Sequence, residues 1–174
     1  MTRREFASSS LTLGAGLLAV GPAALAAATA PAETGWQIGC YTRPFDKHDW
    51  RTAFDAIAEA GYKHVGLMTT NSKQWAMLRS NTPIDEARQM GEEAHRRGLK
   101  VVSAYGTFNA TENVAESVRE LRLLIDNCAA AGAPNLMLGG VTEEKLFNPY
   151  YQTITECCDY AAAKEIGLSI KPHG

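Results

Sequence analysis

From residue 36 onward, short apolar runs alternate with longer stretches whose apolar residues recur every three or four positions. The runs cover residues 36–41, 64–68, 100–105, 135–138 and 168–172. Apolar runs this short, bounded by turn residues, predict buried strands. The stretches between them carry helical spacing. Phe54, Ile57, Ala58 and Gly61 share a face in the first. Val114, Val118, Leu121, Ile125 and Cys128 do so in the third, and Tyr151, Ile154, Cys158 and Ala161 in the last. Thr82-Pro83 and Asn148-Pro149 each offer a capping side chain followed by a proline suited to the first helical position. Asn113 with Glu116 has the form of a capping box.

The pattern repeats. Each helical stretch is followed by a glycine (Gly61, Gly98, Gly132 and Gly167), at spacings of 37, 34 and 35 residues. Glycine is favoured just beyond a helix because that position often takes a left-handed backbone. Strands alternating with helices at this period predict βαβ units and a parallel sheet. The expected fold is α/β, with about five parallel strands and four helices. A complete barrel typically needs about 250 residues, and the chain has 174.

The N-terminus reads differently. Arg3 and Arg4 precede Phe6, and an Ala/Leu-rich run from Leu11 to Ala28 follows, ending in Ala-x-Ala sites. Basic end, apolar stretch and small-residue cleavage site make residues 1–28 a signal peptide, with paired arginines of the twin-arginine type. Residues 29–35 are a linker, and 36–174 form the domain. Gly14, Gly16, Gly21 and Pro22 argue against a membrane anchor. The expected location is periplasmic or otherwise exported, with no membrane span left after cleavage.

Charge narrows the partners. Seventeen basic and nineteen acidic residues give a net charge of −2, and removal of residues 1–28 leaves −3. That excludes a strongly basic nucleic-acid binder. Cys40, Cys128, Cys157 and Cys158 form no CxxC pair, so no zinc or redox spacing is present. They read as small apolar residues, with a Cys128–Cys157 bridge open in an oxidising compartment.

Ligands of parallel α/β folds bind at the carboxyl ends of the strands. That rule selects Tyr41 and Arg43 after the first strand, Tyr105 at the third, Gly139-Gly140 after the fourth, and Lys171 with His173 at the fifth. Lys171 and His173 are two apart and share a face. Histidine suits acid/base work near neutral pH, and lysine suits anion binding or, if desolvated, a Schiff base. They are the candidate catalytic pair. Arg43 is a candidate clamp for a charged group, and Tyr41 and Tyr105 are candidate substrate contacts. Gly139-Gly140 admits close backbone approach. His48, His64 and His95 are expected to have no ligand role, and Trp50 and Trp75 to be packing residues. No metal constellation, dinucleotide fingerprint or phosphate-loop motif is visible.

Several segments carry a resemblance. WQIGCYTRPFD, DAIAEAGYKHVGLM, EEAHRRGLKVVSAYG, LRLLIDNCAAAGAPNLMLGG and CCDYAAAKEIGLSIKPHG together resemble the sugar phosphate isomerase/epimerase family, the xylose isomerase-like TIM barrels. The resemblance spans residues 36–174 and implies an α/β fold of the (β/α) TIM-barrel type, truncated after the fifth of eight strands. It implies proton transfer between neighbouring carbons of a keto-sugar, often with a divalent metal. Lys171 stands where the family usually has a metal-binding, acid/base glutamate, and His173 matches the family's histidine. Gly66, in Val65-Gly66-Leu67, stands where Val-Glu-Leu is frequent. No cofactor is therefore expected from this chain's own residues. A divalent metal would need ligands from a C-terminal half that the chain lacks. The expected function is an exported sugar isomerase/epimerase-like protein, incomplete as given. Alternatives are a non-catalytic carbohydrate-binding protein or a degenerate half-barrel, with pairing into a homodimer as one way to cover its edges.

Overall fold

The computed structural model describes residues 36–69 and 76–171. The signal-peptide and linker expectations, Trp75 and His173 lie outside them. Gln37–Gly174 make one compact unit of the chain.

Its elements are β1 (Gly39–Tyr41), α1 (Trp50–Glu59), β2 (His64–Leu67), β3 (Leu78–Arg79), α2 (Ile84–Arg96), β4 (Lys100–Thr107), α3 (Val114–Ala130), β5 (Asn135–Leu138), α4 (Phe147–Ala162) and β6 (Gly167–Ile170). The strands form one parallel sheet in the order β1-β2-β4-β5-β6, with β3 also paired to β4. This is the expected alternating α/β architecture, as a partial barrel.

The register sorts side chains into two faces. Val65 pairs with Val101 and Leu67 with Ala104, while Leu136 and Leu138 align with Leu168 and Ile170. Val65, Leu67, Leu136 and Leu138 are fully buried. They form one core with Phe54 and Ile57 of α1, Met90 of α2, Leu121, Leu124 and Ile125 of α3, and Ile154 of α4. Apolar burial on this scale is the main driving force for folding. A register shift between Val65 and Gly66 turns the next residues over. Tyr41, Gly66 and Ser103 then lie side by side on the opposite face, and Tyr105, Met137 and Ser169 form the next row. That second face is more polar: the Asn135 amide donates to Ser103 Oγ at 3.2 Å and to Ser169 Oγ at 3.1 Å.

Several expectations need correction. The first strand begins at Gly39, not residue 36, and Trp36 and Ile38 are exposed. A sixth strand exists. After Leu67 the chain leaves the sheet, and β3 returns beside Gly106 and Thr107, beyond the stretch of β4 that β2 pairs. Asn127, buried on α3, holds this return by donating to the Arg79 and Thr82 carbonyls, both at 2.8 Å. Thr82 accepts from the Arg79 N–H instead of capping α2, and Pro83 is the N-cap residue. Asn148 lies inside α4, which begins at Phe147 without a side-chain cap. The buried face of α4 is Tyr150, Thr153, Ile154, Cys157 and Ala161, whereas Tyr151 and Cys158 are exposed. Cys128 and Cys157 are buried free thiols, not a bridge. Asn113 does cap α3, accepting from the Glu116 N–H at 3.4 Å.

Candidate functional site

Five strands deliver their C-terminal ends to one cavity of about 750 Å³. Buried Met68 and Tyr105 and half-buried Tyr41 and Met137 supply its apolar surface. Exposed Arg43, Asp46 and Lys171 supply the charged rim, next to Pro44. Tyr41, Arg43, Tyr105 and Lys171, singled out by the strand-end rule, therefore meet around one space. Gly139-Gly140 does not line it. Instead the Tyr150 hydroxyl donates to the Gly139 carbonyl, and its ring stacks on Phe108 at 5.1 Å, fixing the loop after β5 from behind. Met68 and Met137 were invisible as site residues, because methionine in an apolar run reads as core.

Thr42 sets the arginine side of the rim. It is fully buried between β1 and β2. Its N–H donates to the Gly66 carbonyl at 3.0 Å, and its hydroxyl accepts from the Met68 N–H at 3.0 Å. Those bonds close β1 against β2 and start the 3₁₀ turn Arg43–Phe45, which carries Arg43 over the cavity mouth. On the far side the Lys171 N–H donates to the Leu138 carbonyl at 2.8 Å. That bond continues the β5–β6 ladder by one residue and aligns Lys171 with Ser169 on the cavity face.

Tyr41 and Gly66 are neighbours across the β1–β2 ladder. A Cβ on Gly66 would stand 2.4 Å from two carbons of the Tyr41 ring. The ring occupies the volume that any side chain at position 66 would need.

A larger cavity, of about 910 Å³, opens at the other end of the sheet, beside Arg88, His95, Arg96 and Lys100. It lies at the start of β4, away from the carboxyl ends where barrel chemistry sits. Arg88 and Arg96 there already pair with Asp85 and Glu93.

A family profile described as xylose isomerase-like TIM barrel matches residues 54–174, most of the chain. The chain belongs to that family. No curated protein matches it. Among solved structures, a sugar phosphate isomerase/epimerase from Parabacteroides distasonis superposes with a TM-score of 0.63 at 13% identity, over 84% of this chain and 54% of that one. A xylose isomerase domain containing protein from Salmonella typhimurium gives 0.58 at 18% identity, over 79% and 50%. A D-psicose 3-epimerase, solved in the presence of D-fructose, gives 0.57 at 14% identity, over 78% and 52%. At these identities the likeness is one of fold. The chain spans about half the length of these xylose isomerase-like structures.

The divalent metal implied by the resemblance can be tested against the residues present. Hard divalent ions take oxygen ligands, chiefly carboxylates. No group of three His, Cys, Asp or Glu side chains able to hold a metal occurs among the described residues. Among the described residues Asp46 is the single carboxylate lining the cavity. Lys171 carries a positive charge at the end of β6, and the Tyr41 ring fills the place beside Gly66. These residues do not fit a metal, and a lysine there repels one.

Proposed function

We propose that the protein acts on a sugar or sugar derivative as an isomerase/epimerase-like enzyme, moving a proton between neighbouring carbons. The observation that carries this reading is the cavity at the carboxyl ends of the strands in a xylose isomerase-like barrel fold, ringed by groups that bind hydroxyls and charge. In this reading His173 exchanges the proton, as neutral imidazole taking it and as imidazolium returning it. Lys171 and Arg43 hold the oxygens on which charge develops. Tyr41 and Tyr105 present aromatic faces to the sugar ring. No step assigned to these residues calls on a metal. Export is proposed on the Arg3-Arg4 segment and its Ala-x-Ala sites. A second copy covering the β1 and β6 edges, unpaired among the described residues, is proposed on the exposure of Ile170, since unpaired edges are normally covered.

The test is solvent exchange. The chain is incubated with D-fructose in D2O and followed by proton NMR. Deuterium entering at carbon 1 or carbon 3, abolished by His173→Gln, is the expected result. Sugar binding without exchange would leave the non-catalytic carbohydrate-binding reading in its place.

A further inference from the structure

Helix α4 carries an apolar flank besides the face it buries. Its contacts with α3 come from one side: Cys157 Sγ reaches the Val118 carbonyl at 3.8 Å, the Tyr160 hydroxyl donates to Asp126 at 2.8 Å, and Lys164 pairs with Asp126 at 2.7 Å. Phe147, Tyr151, Ile154, Cys158 and Ala162 follow one another at spacings of 4, 3, 4 and 4 residues, so they form one uncharged stripe. At 3.6 residues per turn, that stripe lies on the flank away from the residues that meet α3. Phe147 is 43% and Tyr151 49% exposed, and Cys158 and Ala162 are exposed as well. The sheet ends on the same flank, at β6. There Ile170, aligned with buried Leu138, is 38% exposed. Apolar surface gathered in this way marks an interaction site. Edge strands are usually blunted by charge or proline, and Gly167–Ile170 carries neither.

The order of sizes along the stripe points to its occupant. The stripe is large at its start, Phe147 and Tyr151, and small at its end, Cys158 and Ala162. An antiparallel copy of the same helix matches that gradient. About a two-fold axis beside Ile154 and Thr155, Tyr151 of each copy meets Cys158 of the other, and Phe147 meets Ala162. Sulfur against an aromatic ring is a favourable contact, and antiparallel helices set opposite ends of their macrodipoles together. The Tyr151 ring is already placed, edge-on to Tyr150 at 5.5 Å, while Tyr150 is itself bonded to Gly139. The same axis turns the two β6 edges toward each other, antiparallel. We propose that this flank binds a second copy of the chain, α4 against α4 across a two-fold axis. This rests on the second-copy reading given above and assigns its contact to α4 and β6. Because β6 bears Lys171, the contact also steadies one wall of the cavity.

Area sets the expected strength. At about 200 Å² for a fully exposed large side chain, Phe147, Tyr151 and Ile170 bring about 250 Å² per copy. A standard interface needs about 600–1,000 Å² per partner, which the stripe reaches only with the β6 edge added. The pair is therefore expected to form at about micromolar concentration rather than nanomolar.

Sedimentation equilibrium of the full chain from about 1 to 200 µM tests this. The mass is expected to rise from 18.8 kDa toward twice that value. Tyr151→Lys is expected to weaken association at least about tenfold, while Tyr151→Phe leaves it unchanged. Position 151 is half-exposed, so these variants should fold, and circular dichroism checks that they do. A second arm reads the alignment. Tyr151→Cys places a thiol where Cys158 of the other copy is expected. Within one chain the two positions lie about 10 Å apart along the helix, beyond the reach of a disulfide. Diamide, which takes up the two thiol hydrogens, is expected to give a covalent dimer on a non-reducing gel. Adding Cys158→Ser to that variant is expected to abolish it. A chain that stays monomeric throughout and forms no such link would overturn both this face and the second-copy reading. A dimer that Tyr151→Lys leaves intact, without the link, would overturn the α4 face and leave a second copy elsewhere. Weakening by the lysine without the link would overturn the antiparallel alignment. The sugar-exchange result is independent of all three.

Discussion

Replacing Gly66 with alanine places a methyl group where the Tyr41 ring now lies. Either the ring swings out or β1 moves off β2. Overpacking of this kind costs about 1–3 kcal/mol. Tyr41→Ala empties the same volume and has its own cost, from lost burial. In the double variant the alanine methyl has room, so its penalty should largely disappear. A urea-unfolding double-mutant cycle is therefore expected to give a coupling energy of about 1 kcal/mol or more. Strictly additive losses would mean that the ring does not define the space at Gly66. The pair also marks what is legible at this scale. Tyr41, Arg43, Tyr105 and Lys171 could be picked out because strand ends converge in any parallel sheet. The packing of Tyr41 onto Gly66 could not, because it depends on the register of β1 against β2, which no local pattern encodes.

At the scale of elements, the repeat was legible through its glycines, and it slipped where the glycine was missing. Gly61, Gly98 and Gly132 have φ of +88°, +71° and +70°. In each case the N–H of the following residue reaches back to close the helix: Tyr62 to Ile57, Leu99 to Ala94 and Ala133 to Cys128. The fourth helix ends in the same way, with Ile166 N–H donating to Ala161 at 2.9 Å. The left-handed residue there is Glu165, φ +59°, not Gly167, which already belongs to β6. A glycine two residues late was the visible marker, and an αL glutamate leaves no sequence signal. The same lack of signal hid β3, too short for any periodicity. It also put the α4 face one position off, since residues 150, 154, 157 and 161 are spaced as helically as 151, 154, 158 and 161. Left-handed backbone costs a non-glycine residue roughly 1–2 kcal/mol. Glu165→Gly is thus expected to raise stability by roughly 1 kcal/mol. Gly98→Ala should lower it by a similar ~1 kcal/mol. A Cβ at Gly98 would meet nothing within 4 Å, so that variant reads backbone strain alone. Thermal unfolding in which both variants move the same way would refute the assignment.

For the molecule as a whole, burial between the sheet and its helices sets how stability responds to pH. Burial pushes the Cys128 thiol up to about 12, and its Sγ lies 3.4 Å from the Ala133 carbonyl. Cys157 is also raised by burial, against the pull of Arg122. Tyr150 is raised by burial, with Tyr151 and Tyr105 adding to it, while its hydroxyl donates to Gly139. All three groups are neutral acids that the folded chain keeps protonated. Near neutral pH both states hold these protons, so they add no slope. Above a thiol's ordinary value of 9.0, the unfolded chain releases protons that the native state retains. Stability must therefore fall as pH rises from 9 toward 12, by about 1.4 kcal/mol per pH unit for each group fully titrating in one state only. The acid side has the opposite sign. Glu93, held below the usual carboxylate range chiefly by its hydrogen bond from Arg97, contributes stability above that range and loses it as pH falls through its depressed value. Urea unfolding should then show a plateau between about pH 6 and 8, with a decline above 9. Cys128→Ala lowers the whole curve by leaving a small cavity, so its slope is the informative quantity. Between pH 9.5 and 10.5 that slope should be shallower than wild type by nearly one proton. Parallel curves would mean that Cys128 ionises as readily in the folded chain as in the unfolded one, against the full burial of its thiol in the core.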